Sequence, residues 1–300
     1  MRSAPLRGVY VPLITPFAAD GSIALDALER LAHDSLDAGA AGLVPLGTTG
    51  EAPLLDAEEK RAVLELCARV GRERDVHVIA GVGTNSTAST VAGAAALADV
   101  SGVSHALVVV PYYVRPSQQG IVDHMRAVAA ASPVPVVLYN IPVRTGRVIE
   151  TAALLELART PNVAGVKQAV DGIDLATLEV LAGAPSEFAI LGGDDPYLYP
   201  TVLLGGAGAI CASAHVCTDR FVAMIECGLA GKVDEGRVHH EALLPVVKAC
   251  FAEPNPAVFK AVLHAQGRIP TPDLRLPLTP ASPSTRDAAL AAIATATASG

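Results

Sequence analysis

Short runs of apolar, often β-branched residues return at a steady interval along the chain. They cover 9–14, 41–45, 76–81, 106–110, 134–139, 163–170, 188–191 and 209–211, roughly 20 to 34 residues apart. Each is apolar throughout rather than alternating with polar residues, the mark of parallel strands covered on both faces. Helical patterns with identifiable ends lie between them. Asp56 and Glu59 read as a capping box, Val63, Leu66, Cys67 and Val70 then share one face, and Gly71 reads as a stop. Asp195 followed by Pro196 reads as an N-cap with proline at the first helical position. Repeated units of this kind, with no break in composition, predict an α/β fold, a (β/α)8 TIM barrel over residues 1–218. Beyond it the strand signal stops. Helical periodicity over 219–231, 234–251, 256–267 and 284–297 predicts a C-terminal helical appendage, residues 219–300, packed on the barrel. Its Ala-rich end, "AAIATATASG", is expected to fray.

Composition narrows the class. Hydrophobic residues make up 51% of 300, enough for a large core. No run approaches the ~20 apolar residues that cross a bilayer, and the N-terminus has no apolar leader segment. The reading is a soluble, cytoplasmic protein with no membrane partner. A net charge of −8 with no block of Lys or Arg argues against nucleic acid. The five cysteines are odd in number and form no C-x-x-C pair, so they read as reduced thiols rather than zinc ligands or disulfides. "GVGTNS" (81–86) and "GGAGA" (205–209) complete no nucleotide-binding fingerprint.

In a barrel, chemistry sits at the C-terminal ends of the strands. Those ends carry "GTTGE" (47–51), "PYY" (111–113), "YNIPVRTG" (139–146), Lys167, and "GGDD" (192–195). Lys167 stands in an apolar strand, "VAGVKQAV", whereas Lys60, Lys232, Lys248 and Lys260 fall on helices, mostly in polar neighbourhoods. An ammonium taken out of water gives up its proton more readily, and the free amine can add to a carbonyl. A structural lysine paired with a buried carboxylate would look the same. Tyr139 ends the preceding strand and is either a proton shuttle or a core tyrosine. Thr48 and Thr49, flanked by glycines, suit a small carboxylate or simply cap a turn. Arg144 could fork onto a second carboxylate. His239-His240-Glu241 lacks a zinc spacing and reads as a solvated helix face.

Taken jointly, and in this order, these motifs resemble the dihydrodipicolinate synthase / N-acetylneuraminate lyase family of pyruvate-dependent aldolases, from "PLITPF" (12–17) to "LRLPLTP" (274–280). "RTG" and "EPNPAVFKAVL" resemble its dihydrodipicolinate synthase branch. The resemblance implies a Schiff base between Lys167 and pyruvate, and a proton relay of Tyr139, Thr49 and Tyr113, the last from a neighbouring subunit. It implies that Thr48 and Thr49 hold the pyruvate carboxylate, that Gly193 and Ile210 line the site, and that Arg144 binds the aldehyde partner, aspartate 4-semialdehyde. It also implies a homotetramer or homodimer and no cofactor or metal. Departures stand at Gln168, where an acidic residue is usual, and at Ala57, Lys60 and Ser89, where lysine-inhibited relatives carry His, His and Glu. Weak or absent inhibition by lysine is the expectation. A sugar-acid aldolase of the same chemistry, or a non-catalytic binder of 2-oxo acids, remains an alternative.

Overall fold

The computed structural model describes residues 5–298. The eight apolar runs are eight strands: β1 (Gly8–Val11), β2 (Gly42–Leu43), β3 (His77–Gly81), β4 (His105–Val109), β5 (Val136–Asn140), β6 (Val163–Gln168), β7 (Ala189–Gly192) and β8 (Gly208–Ile210). Each pairs in parallel with the next, and β8 pairs with β1, so the sheet closes into a barrel. The helices are α1 (Leu25–Asp37), α2 (Ala57–Arg74), α3 (Thr87–Ala95), α4 (Gln118–Ala131), α5 (Pro142–Thr145), α6 (Thr151–Leu157), α7 (Leu175–Gly183), α8 (Leu198–Leu203), α9 (Thr218–Leu229), α10 (Val233–Cys250), α11 (Ala257–Ala265) and α12 (Pro283–Ala298).

Strand alternation sorts side chains into two cores. Tyr10, Val44, Ile79, Leu107, Val137, Tyr139, Leu191 and Ile210 fill the lumen. Val11, Leu43, Val78, Val108, Leu138 and Val166 face the helices, joined there by the apolar stripes of the surrounding helices. Both faces of every strand are thus buried, which is why the runs carry no period-2 signal. Among the described residues, no helix is long and apolar enough to cross a membrane.

Several local expectations change. The capping box forms, with Asp56 accepting from the Glu59 N–H and Glu59 from the Asp56 N–H, both at 2.9 Å. Gly71 does not stop α2. The helix runs three residues past it, and a Cβ there would lie 2.3 Å from Val78 Cγ2, so the glycine serves close helix–strand packing. The N-cap position before Pro196 is Asp194, not Asp195, whose carboxylate turns inward to the Ser213 N–H at 2.7 Å. His239 and His240 are half-buried rather than solvated, and His240 packs its ring 5.6 Å from that of Tyr199. The Ala-rich segment stays helical to Ala298, with Ile293 and Ala296 buried; residues 299–300 lie outside the described residues. α9 packs on β1 and β8 in the place of an eighth barrel helix, and α10, α11 and α12 pack beyond it.

Candidate active site

Lys167 and Tyr139 are register partners across β5 and β6, and both point into the lumen at the C-terminal end of the barrel. Lys167 is 7% exposed, and its Nζ lies 4.4 Å from the centre of the Tyr139 ring. Gly193, just after β7, closes over the lysine: a Cβ there would stand 2.9 Å from Lys167 Cγ and 3.0 Å from Cε. The next residue on β6, Gln168, points the other way. It accepts from Asn140 Nδ2 and donates to Thr177 Oγ1, both at 3.1 Å, in a closed polar contact behind the barrel wall. The departure at Gln168 therefore does not face the lumen.

The Thr48–Thr49 turn is tight, with the N–H groups of Gly50 and Glu51 bonded back to Gly47 and Thr48. Thr49 is buried at 3% exposure, and its Oγ1 accepts a 3.0 Å hydrogen bond from Asn255 Nδ2. Glu51, held at φ 55°, turns its carboxylate into the protein. There it meets Lys260 Nζ at 2.5 Å, both side chains fully buried, and its other oxygen accepts the Arg275 N–H at 3.0 Å. Lys260 also donates to the Asp273 carbonyl at 2.9 Å and stands 4.0 Å from the centre of the Phe17 ring. Arg275 packs on the same ring and pairs with Glu59 of the capping box. The C-terminal region thus grips the turn that carries Thr48 and Thr49. Burial moves the Lys260 ammonium down to about 8, against the pull of Glu51.

This overturns the sequence view of the lysines. Lys260 lies on its helix as expected but in no polar neighbourhood; it is more deeply buried than Lys167. The signal was present, because Lys260 sits within "AVFKAVL", as apolar a setting as that of Lys167. Asn255 was also missed, being one polar residue in a proline-flanked turn.

A cavity of about 910 Å³ opens beside this cluster. Thr48, Tyr112, Tyr139, Arg144 and Asn255 line it, and so, toward α2 and α3, do Ala57, Lys60 and Ser89. Lys167, Thr49, Gly193 and Ile210 do not contribute to its wall; Ile210 is fully buried in the lumen. Tyr113 is 88% exposed at φ 70° and stands away from the cavity. Asp195 is buried, and desolvation raises its carboxyl to about 6, partly offset by its Ser213 hydrogen bond and the charge of Lys167. Desolvation also raises Asp194, whose Oδ2 accepts the Asp171 N–H at 2.5 Å and ties the loop after β6 to that after β7.

The fold and lumen define a class: closed parallel (β/α)8 barrels that hold an amine and a phenol side by side at the catalytic end. Residues 5–296 match the Dihydrodipicolinate synthetase family, and the chain belongs to it. It is 41% identical over 285 residues to the 4-hydroxy-tetrahydrodipicolinate synthase of Moorella thermoacetica, covering 95% of this chain and 96% of that one. Identity to the Neisseria gonorrhoeae synthase of the same name is 40%, over 92% and 93% of the two chains. The solved 4-hydroxy-tetrahydrodipicolinate synthase of Methylacidiphilum fumariolicum SolV superposes with a TM-score of 0.93 at 33% identity, covering 98% of this chain and 97% of that one.

Proposed function

We propose that the protein condenses pyruvate with L-aspartate 4-semialdehyde to give 4-hydroxy-tetrahydrodipicolinate, a lyase-type step toward diaminopimelate and lysine. The observation that carries this reading is the buried Lys167 beside Tyr139 at the catalytic end of the lumen. The Lys167 amine adds to the pyruvate ketone, and loss of water leaves an iminium. That iminium is the electron sink for removing a methyl proton, so the chemistry calls on no metal or organic cofactor. The resulting enamine carbon attacks the aldehyde, whose oxygen takes up a proton. The partner's own amine then attacks the imine carbon, closes the ring and frees the lysine.

Tyr139 and Thr49 move these protons, and Thr48 and Thr49 hold the pyruvate carboxylate, with Gly193 and Ile210 shaping the site around Lys167. Arg144, on the cavity wall, takes the carboxylate of the aldehyde; a sugar acid's polyol tail would call for neutral hydrogen-bonding groups there instead. Tyr113, exposed and in a left-handed conformation beside exposed Val114, serves a second copy of the chain, which makes the working unit a homodimer or homotetramer in the cytoplasm.

Borohydride reduction in the presence of pyruvate should leave a pyruvate-derived adduct on Lys167 by mass spectrometry. No adduct on the wild-type protein overturns the reading. Arg144→Ala should raise KM for aspartate semialdehyde at least tenfold while sparing adduct formation, and unchanged kinetics would remove the assignment of Arg144. With Ala57, Lys60 and Ser89 on the far wall of the cavity, lysine should inhibit weakly or not at all; strong inhibition at submillimolar lysine would contradict this.

A further inference from the structure

We propose that Lys60 draws pyruvate into the cavity. Its unpaired ammonium, together with Arg144, makes the cavity positive and concentrates a small anion at the catalytic end of the barrel. The proposal rests on the part of the reading above in which pyruvate is the substrate that Lys167 attacks. Lys60 stands in the first turn of α2, half-buried, on the wall of the same cavity of about 910 Å³ that Thr48, Tyr139 and Arg144 line. Among the described residues its ammonium has neither a carboxylate nor a hydrogen-bond partner, and the same holds for the Arg144 guanidinium.

The setting makes this charge matter. The chain as a whole carries −8, which repels an anion, and only a local positive field reverses that repulsion. Other charges on the cavity wall do not cancel Lys60. Glu51 is committed to Lys260 at 2.5 Å, and Arg61 is paired with Glu65 at 2.7 Å. Glu59, the residue before Lys60, is held by Arg275 and by the Asp56 N–H, and Glu58 does not line the cavity. Barrel helices run back from the catalytic end, so Lys60 stands at that end of α2. Asp99 lies past the C-terminus of α3, about 15 Å from the start of that helix. A partly buried charge is also screened less by salt than an exposed one.

Net charge decides which substrate responds. Pyruvate is a monoanion. Aspartate 4-semialdehyde, with one ammonium and one carboxylate, is a net-neutral zwitterion. A field from Lys60 therefore acts on pyruvate and little on the aldehyde, whose carboxylate is taken by direct contact with Arg144.

The test measures the second-order rate constant for forming the pyruvate adduct on Lys167, with no aldehyde present. A neutral amine–borane traps the adduct, so the reductant itself does not feel the charge. Wild type, Lys60→Met, Lys60→Arg and Lys60→Glu are compared at ionic strengths of about 0.01 and about 0.1 M, between which the Debye length falls from about 30 to about 10 Å. At the lower value Lys60→Met should slow capture about fivefold, just under the effects of roughly 10- to 10³-fold that whole charged clefts produce. Lys60→Glu should slow it further, and Lys60→Arg should stay close to the wild type. At the higher ionic strength the gap between wild type and Lys60→Met should narrow to about twofold. With pyruvate saturating, kcat/KM for aspartate semialdehyde should hold in Lys60→Met, the reverse of the pattern in Arg144→Ala. Wild-type capture by Lys60→Met at low ionic strength overturns the proposal. So does a loss that is equal at both ionic strengths, or one that Lys60→Arg does not restore, because a contact or a packing role would then explain it. Absence of any adduct in the wild type would instead defeat the functional reading itself.

Discussion

Gly193 decides where the Lys167 amine can stand. A methyl group there would lie 2.9 and 3.0 Å from Lys167 Cγ and Cε and 3.0 Å from Ala169 Cβ. Of these neighbours the lysine chain is the movable one, so Gly193→Ala should displace the Lys167 amine rather than unfold the barrel. Misplacement by about 1 Å costs on the order of 10²-fold when a reacting group must meet its target in one geometry. We expect Gly193→Ala to form the pyruvate adduct about 10²-fold more slowly with a nearly wild-type unfolding midpoint; adduct formation at the wild-type rate would refute the contact. Lys167 was legible in the sequence because a charge in an apolar strand is rare. The side of the strand was not, since a strand buried on both faces carries no polar alternation to mark the lumen. Gln168 shows the consequence: its departure from the family pattern lay one residue from Lys167, yet its side chain bonds Asn140 and Thr177 outside the lumen.

At the scale of elements, α11 does more than cover the barrel. Lys260 brings a charge to the turn after β2, and Glu51 meets it with both side chains out of water. Removing one member of a buried pair leaves an uncompensated charge, at a cost of about 3–5 kcal/mol, whereas removing both is far milder. Lys260→Met should therefore lower the urea midpoint steeply and weaken turnover, because Thr48 and Thr49 ride on the same turn. The double variant Lys260→Met/Glu51→Gln should recover part of the loss. A single variant as stable as the wild type would show that the pair contributes nothing. The strands and most helices were legible because they are local patterns of period and capping. This clamp was not, because its partners lie on opposite sides of the sequence: the apolar "AVFKAVL" marks Lys260 as buried, but nothing local points to Glu51 as its partner.

Across the whole molecule, two deeply buried histidines contribute to the response to acid. His215 receives the Ile14 N–H on Nε2 at 3.1 Å and directs Nδ1 to the Ala212 carbonyl at 2.8 Å, an arrangement open only to the neutral ring. His105 is buried with its ring 5.3 Å from that of His77. Desolvation lowers both from 6.5 to about 4, aided at His105 by the charge of His77 and opposed at His215 by the Ala212 hydrogen bond. Between those values the unfolded chain binds protons that the folded chain refuses. Their stabilisation is thus complete above pH 6.5 and drains away as the pH falls through 4, by about 3 kcal/mol for each ring. Asp195 works in the opposite sense. Its carboxyl, raised to about 6, is protonated sooner in the folded state and returns stability on acidification. These three groups together contribute a loss of about 3 kcal/mol between pH 7.5 and 4.5. The urea midpoint should therefore fall over that interval, and His105→Leu, which removes one of the two titrations, should flatten the fall by roughly half or more. A midpoint that holds steady down to pH 4.5 would mean that these rings already carry their protons in the folded barrel, against the donor that Ile14 presents to His215.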